Sequence, residues 1–119
     1  DSFDYELDLD THYLLNAIDR VSLLTNEQNN IIKLDMDPDR IVLSSYMQEI
    51  GSVEEILDKA FYKGEPLSIS FSSKYATDAI RAFNEPKIKI LFTGEMKPFI
   101  IKDYEKDDVI QLVLPVRTF

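Results

Sequence analysis

Twice along this 119-residue chain, a stretch that alternates apolar and polar residues runs straight into one whose apolar residues recur every three or four positions. The first is Phe3-Asp4-Tyr5-Glu6-Leu7-Asp8-Leu9 followed by Leu14, Ala17, Ile18, Val21 and Leu24. The second is Leu67-Ser68-Ile69-Ser70-Phe71 followed by Ala76, Ala79, Ile80 and Phe83. A period of two fits a strand with one face in a core, and a period of 3.6 fits a helix buried along one stripe. Each unit therefore predicts a strand that feeds an amphipathic helix. Asp10 and Thr11 are both suitable N-caps for a first helix over about residues 11–25, Ser72 or Ser73 caps the second, and Pro86 ends it.

Each helix gives way to strand-like sequence. Ile32, Leu34 and Met36 alternate, Asp37-Pro38-Asp39-Arg40 has turn chemistry, and Ile41-Val42-Leu43 is apolar and β-branched, which predicts a hairpin. A third strand, Val53 to Leu57, comes after Gly51-Ser52, and Lys63-Gly64-Glu65-Pro66 reads as a loop. In the second half, Lys87 to Phe92, Phe99 to Lys102 and Val109 to Leu114 supply three strands, separated by Thr93-Gly94-Glu95 and the charged stretch Tyr104 to Asp108. Both halves, about residues 1–63 and 64–119, read βαβββ. Their order of elements repeats while their residues do not. The expectation is one α+β domain, with two helices packed on antiparallel sheets built from eight strands.

Composition narrows the function classes. With 45% apolar residues, 3 Gly and no low-complexity run, the whole chain can bury a core. No cysteine is present, which removes disulfides, thiolate nucleophiles and cysteine-held zinc, and fits the reducing cytoplasm. No run is long enough to span a membrane, and Asp1 to Asp10 is acidic where a secretory leader would be basic and apolar. Opening on Asp1 without a Met suggests processing or excision from a longer chain. A net charge of −9 opposes tight binding to phosphate backbones, so any DNA contact needs a local basic face.

Catalytic chemistry has little support. His12 is the only histidine, it lies away from the apolar stripe of helix one, and no nucleophile motif, phosphate loop or zinc-protease word occurs. Asp35-Met36-Asp37-Pro38-Asp39 starts like a calcium loop, but Arg40 stands at the glycine position and Tyr46 where the closing glutamate belongs. An acidic hairpin turn is the better reading, and no cofactor or metal is expected. A hydrolase using paired carboxylates is a distant alternative. Opposite the core stripes lie His12, Asn16, Asp19 and Leu23 on helix one, and Lys74, Asp78 and Arg81 on helix two. Leu23 is the odd residue among them: a leucine turned from the core has no intramolecular reason to be apolar and points to a protein contact.

Five words of the sequence share one resemblance. Leu15-Asn16-Ala17-Ile18-Asp19-Arg20-Val21-Ser22-Leu23-Leu24, Glu49-Ile50-Gly51, Ile69-Ser70-Phe71-Ser72-Ser73-Lys74-Tyr75, Met96-Lys97-Pro98-Phe99 and the terminal Gln111-Leu112-Val113-Leu114-Pro115-Val116-Arg117-Thr118-Phe119 span nearly the whole chain in order. Together they resemble the C-terminal (third) domain of the bacterial DNA polymerase sliding clamp. The resemblance implies a DNA-clamp domain fold. It also implies a non-catalytic processivity factor: a head-to-tail homodimer of three-domain subunits closed around duplex DNA, part of a polymerase holoenzyme, with the isolated domain a monomer.

It further implies site residues. Polymerase and clamp-loader subunits would insert peptides into a pocket whose third-domain half comprises Asn29, Ser72, Tyr75, Met96, Pro98, Leu112, Val113, Leu114, Pro115, Val116 and Arg117. Leu112 and Leu114 equally suit core positions of a last strand, so Met96, Pro98, Pro115 and Val116 are the stronger candidates. Arg20, Lys74 and Arg81 would face DNA, and Leu23, Leu24, Glu49, Glu54 and Glu55 would meet the neighbouring subunit. A stand-alone peptide-binding adaptor of similar layout is the runner-up.

Overall fold

A computed structural model describes residues 4–25, 30–47, 51–83, 85–105 and 110–116, with the backbone alone for Leu24, Ile110, Gln111 and Leu112. The first half comprises β1 (Tyr5–Asp10), α1 (Thr11–Val21), a short 3-10 turn (Ser22–Leu24), β2 (Ile31–Asp37), β3 (Arg40–Met47), β4 (Gly51–Ile56) and β5 (Phe61–Lys63). The second comprises β6 (Leu67–Ser72), α2 (Ser73–Arg81), β7 (Lys87–Phe92), β8 (Phe99–Asp103) and β9 (Ile110–Val113). Both strand-to-helix handovers occur without an intervening loop. The last strand residue is the cap in each case: Asp10 accepts from the Tyr13 amide at 2.9 Å and Ser72 from the Tyr75 amide at 3.3 Å.

The two halves exchange their opening strands. One sheet runs β5-β1-β7-β8-β9 and the other β4-β3-β2-β6, so β1 joins the second half's strands and β6 the first half's. All pairings are antiparallel, with Leu7 opposite Ile90 and Leu34 opposite Ile69. The first helical residue of each unit is tied to the residue before its new neighbour strand: the Thr11 amide donates to the Pro86 carbonyl at 2.8 Å, and the Ser73 amide to the Asn30 carbonyl at 2.7 Å. These bonds carry the β1–β7 and β6–β2 contacts one residue further, into the first turn of each helix.

The inward faces of both sheets and the helix stripes form one core. Leu7, Leu9, Leu14, Ala17, Ile18, Ile32, Leu34 and Ile88 are almost fully buried. Within it Phe71 meets Phe99 edge to face and Phe92 meets Phe99 at a tilt, with ring centroids 5.6 Å and 5.0 Å apart respectively.

Several expectations need correction. Helix one stops at Val21, because the buried Ser45 hydroxyl takes the Val21 carbonyl at 2.5 Å and the Thr25 amide closes a tighter turn on Ser22 at 3.0 Å. Strand β4 covers Gly51–Ile56 instead of Val53 to Leu57. A ninth strand, β5, occupies Phe61–Lys63, so Lys63 belongs to a strand and not to the loop after it. Three residues, of which only Tyr62 is buried, are too few for an alternation to register. In β9 the buried residue is Val113, opposite Phe99, while Leu114 is 64% exposed. The core phase of the last strand is thus the reverse of the one that makes Leu114 a core position.

Candidate functional site: a partner groove, a helical face and a sheet edge

The groove follows from the path of the chain's end. Past Val113 the chain leaves the five-stranded sheet and crosses to the other, where the Val116 amide donates to the Ser70 carbonyl at 2.7 Å. This bond lays the tail along β6, beside the first turn of α2. An open groove of about 450 Å³ results, lined by Asn30, Ile31, Ser72, Lys74, Tyr75 and Val116. Ser72 is buried, and its hydroxyl is spent on capping α2, so it shapes the groove by fixing that helix turn. Tyr75 is 70% exposed and stands at the wall.

Of the residues predicted for a peptide pocket, Ser72, Tyr75 and Val116 come together here. Met96 and Pro98 lie exposed in the β7–β8 turn, and Pro98 and Leu114 are each one residue beyond the paired Phe99 and Val113. They flank the same end of the sheet as the exposed Leu114 and half-buried Pro115 without lining the groove. Val113 is a core residue and offers no side-chain surface to a ligand. Asn29 and Arg117 lie outside the described residues, as does the Leu112 side chain. Sequence reasoning missed Asn30, Ile31 and the groove role of Lys74. For Ile31 a signal existed: Ile32, Leu34 and Met36 fix the inward phase of β2, leaving an isoleucine on its outward side.

The helices α1 and α2 pack side by side and share one outer face. His12, Asn16, Asp19, Lys74, Asp78 and Arg81 are all exposed on it, so cations and acids alternate. A depression of about 630 Å³ sits on this face between the start of α1 and the end of α2. Among the described residues no group of three or more histidines, aspartates and glutamates is placed to hold a metal ion.

At the flank of this face Arg20 does something the sequence did not suggest. Its Nε and a terminal guanidinium nitrogen donate to the two carboxylate oxygens of Glu55 at 2.9 and 3.0 Å. Glu55 lies on β4, the last strand of its sheet, between the half-buried Val53 and the buried Leu57 on the helix-facing side. Glu54 and Ile56 point outward and are exposed, as is Tyr46 on β3. Leu23 in the 3-10 turn is 77% exposed, the most exposed large apolar side chain among the described residues. Glu49 and the side chain of Leu24 are outside the described residues.

Residues 1–117 match the family model described as DNA polymerase III beta subunit, C-terminal domain. The chain belongs to this family. The beta sliding clamp of Staphylococcus aureus is 43% identical over 120 residues, an alignment that covers all of this chain and 32% of that protein. Among solved structures, the DNA polymerase sliding clamp of Bacillus subtilis superposes with a TM-score of 0.92 at 42% identity, covering 99% of this chain and 32% of that one. The DNA polymerase beta subunit of Streptococcus pyogenes gives 0.90 at 32% identity, with coverage of 99% and 32%. This beta-subunit domain therefore spans about a third of the length of the curated relatives it matches. The α+β clamp architecture expected from the resemblance is the one found.

Proposed function

We propose that this domain is the third of a three-domain, ring-forming sliding clamp that holds a replicative polymerase on duplex DNA and catalyses nothing itself. The observation that carries this reading is the groove of Ile31, Ser72, Tyr75 and Val116. An exposed Tyr75 and half-buried Ile31 and Val116 surround a capped helix turn, beside a tail pinned to β6. Such a surface suits a short peptide with spaced aliphatic and aromatic residues, which gains affinity by burying them. Polymerase and clamp-loader subunits would supply it, with Met96, Pro98, Leu114 and Pro115 widening the landing site and Asn29, Leu112 and Arg117 completing it. A second domain of the same subunit would form the opposite wall.

Lys74 and Arg81, exposed among acids on the helical face, would touch phosphates loosely enough for the ring to slide. Leu23, with Leu24, Glu49 and Glu54, would meet the neighbouring subunit of a homodimer. The isolated domain would stay monomeric, since a head-to-tail interface needs a different domain as its complement.

The test is a titration of the full-length protein with a peptide carrying a glutamine followed by spaced aliphatic and aromatic residues. Tyr75→Ala and Val116→Asp should each weaken binding about ten-fold or more, as expected for anchors of an apolar groove. Undiminished binding in both variants would place the peptide elsewhere.

A further inference from the structure

Arg20 flanks the helical face proposed to meet DNA, yet its guanidinium is engaged elsewhere. It grips both oxygens of Glu55 in a two-pronged contact, and this holds the Glu55 carboxylate below its ordinary pKa. Seven residues earlier, two turns along the same flank of α1, the Tyr13 hydroxyl donates to an Asp58 carboxylate oxygen at 3.0 Å and accepts from the Lys59 amide at 3.3 Å. Both contacts reach β4 or the turn just after it. That strand is paired only with β3 among the described residues, and edge strands of this kind fray most readily. The alternation of β4 agrees: Glu55 occupies a helix-facing position between Val53 and Leu57, where a carboxylate is out of place unless a cation on α1 receives it.

We propose that Arg20 is a positioning residue for subunit contact, not a DNA contact: its fork on Glu55 locks edge strand β4 to α1, so that Leu23, Glu54 and the free β4 edge meet a second copy of the full-length chain as one preformed surface. This rests on the reading of that edge as the ring interface. A preformed surface binds more tightly because the ordering cost has been met before encounter. The chemistry of the fork is specific to arginine, since a lysine keeps the charge but cannot make two parallel bonds. Outward on the same strand, Glu54 leaves the edge acidic, which selects a partner surface carrying cations.

The experiment uses the full-length protein, with Arg20→Ala, Arg20→Lys, Glu55→Gln and the Arg20→Ala/Glu55→Gln double variant beside Leu23→Ala and Lys74→Ala. Three quantities are measured: hydrogen exchange of the segment 51–57, the dimer dissociation constant by sedimentation, and the salt dependence of DNA binding by the assembled ring. Arg20→Ala, Arg20→Lys and Glu55→Gln should each speed exchange in 51–57 and raise the dissociation constant by about two- to five-fold, the range for an exposed but well-formed pair. The double variant should match the singles, and the salt slope should fall with Lys74→Ala alone.

A salt slope that falls by about one with Arg20→Ala while exchange in 51–57 is unchanged would make Arg20 a DNA contact and overturn the proposal. Faster exchange with an unchanged dimer in Arg20→Ala, while Leu23→Ala weakens the dimer, would refute the positioning role alone. An unchanged dimer in Leu23→Ala as well would refute the interface reading beneath it.

Discussion

Replacing Asp8 by Asn should stabilise the domain at neutral pH, although it removes a charge from the surface of a sheet. Asp8 lies on the face of β1 opposite the core residues Leu7 and Leu9, yet it is only 7% exposed, and its Oδ1 finds no hydrogen-bond donor. Burial is the main cause that pushes its pKa from 3.8 to about 6, and the carboxyl of Glu6, on the same face two residues earlier, adds to it. Lys89 and Lys63 pull the other way but do not compensate; the Lys89 ammonium sits 3.7 Å from Glu6.

At about 1.4 kcal/mol per pH unit, carrying this charge in the fold costs at most about 3 kcal/mol, and side-chain relaxation makes about 1–3 kcal/mol the working range. Asparagine has the same shape, carries no charge, and can donate to Glu6 as the protonated acid does. The gain should appear in urea unfolding at pH 7.5, with a rise in Tm on the order of 4 °C per kcal/mol. It must also depend on pH in one direction. Below pH 3.8 the aspartic acid is protonated in both states and carries no penalty; the penalty grows as pH rises through the window up to about 6 and is constant above it. The advantage of the variant should therefore shrink to about 0.5 kcal/mol by pH 4. A variant that is no more stable at pH 7.5, or an advantage equal at pH 7.5 and pH 4, would refute the reasoning.

Two further outcomes probe the frame of the groove and the start of the second half. Ser72→Ala should lower unfolding free energy by about 1 kcal/mol through loss of the α2 cap, whereas Ser72→Asp should retain it, as read by chemical denaturation. Gly64→Ala should cost more than about 1 kcal/mol: Gly64 has φ +135, and an added Cβ would meet the Asp4 carbonyl oxygen at 2.9 Å. A thermal melt unchanged from that of the parent would contradict this.

Much of the fold was legible because its signals are local. The strands that hand over to capped helices announce themselves in a period change within fifteen residues or so, and Asp10 and Ser72 stand where the caps are. The hairpin at Asp37 was likewise readable: its carboxylate accepts from the Asp39 and Arg40 amides at 2.8 and 2.9 Å, which is short-range turn chemistry. Leu23 was also visible, since a leucine in the wrong helical phase needs no partner to be noticed.

Other features depend on contacts between residues far apart in the chain. Nothing in β1 says that it will pair with β7, because its alternation suits any neighbour that buries the same face. The stop of α1 at Val21 depends on Ser45, and the inward turn of Val113 on its register with Phe99. Arg20 read as a free cation until folding brought Glu55, 35 positions away, against it. Asp8 was one polar position of an alternating stretch until β5 and β7 closed around it on either side. Side-chain period and capping act within one or two turns of chain, and they settle which residues face inward along each element and where each helix begins. Which strands lie side by side, which charges meet and which carboxylate loses its water are matters of tertiary contact, because each is set by pairings that exist only after the two halves have exchanged their opening strands.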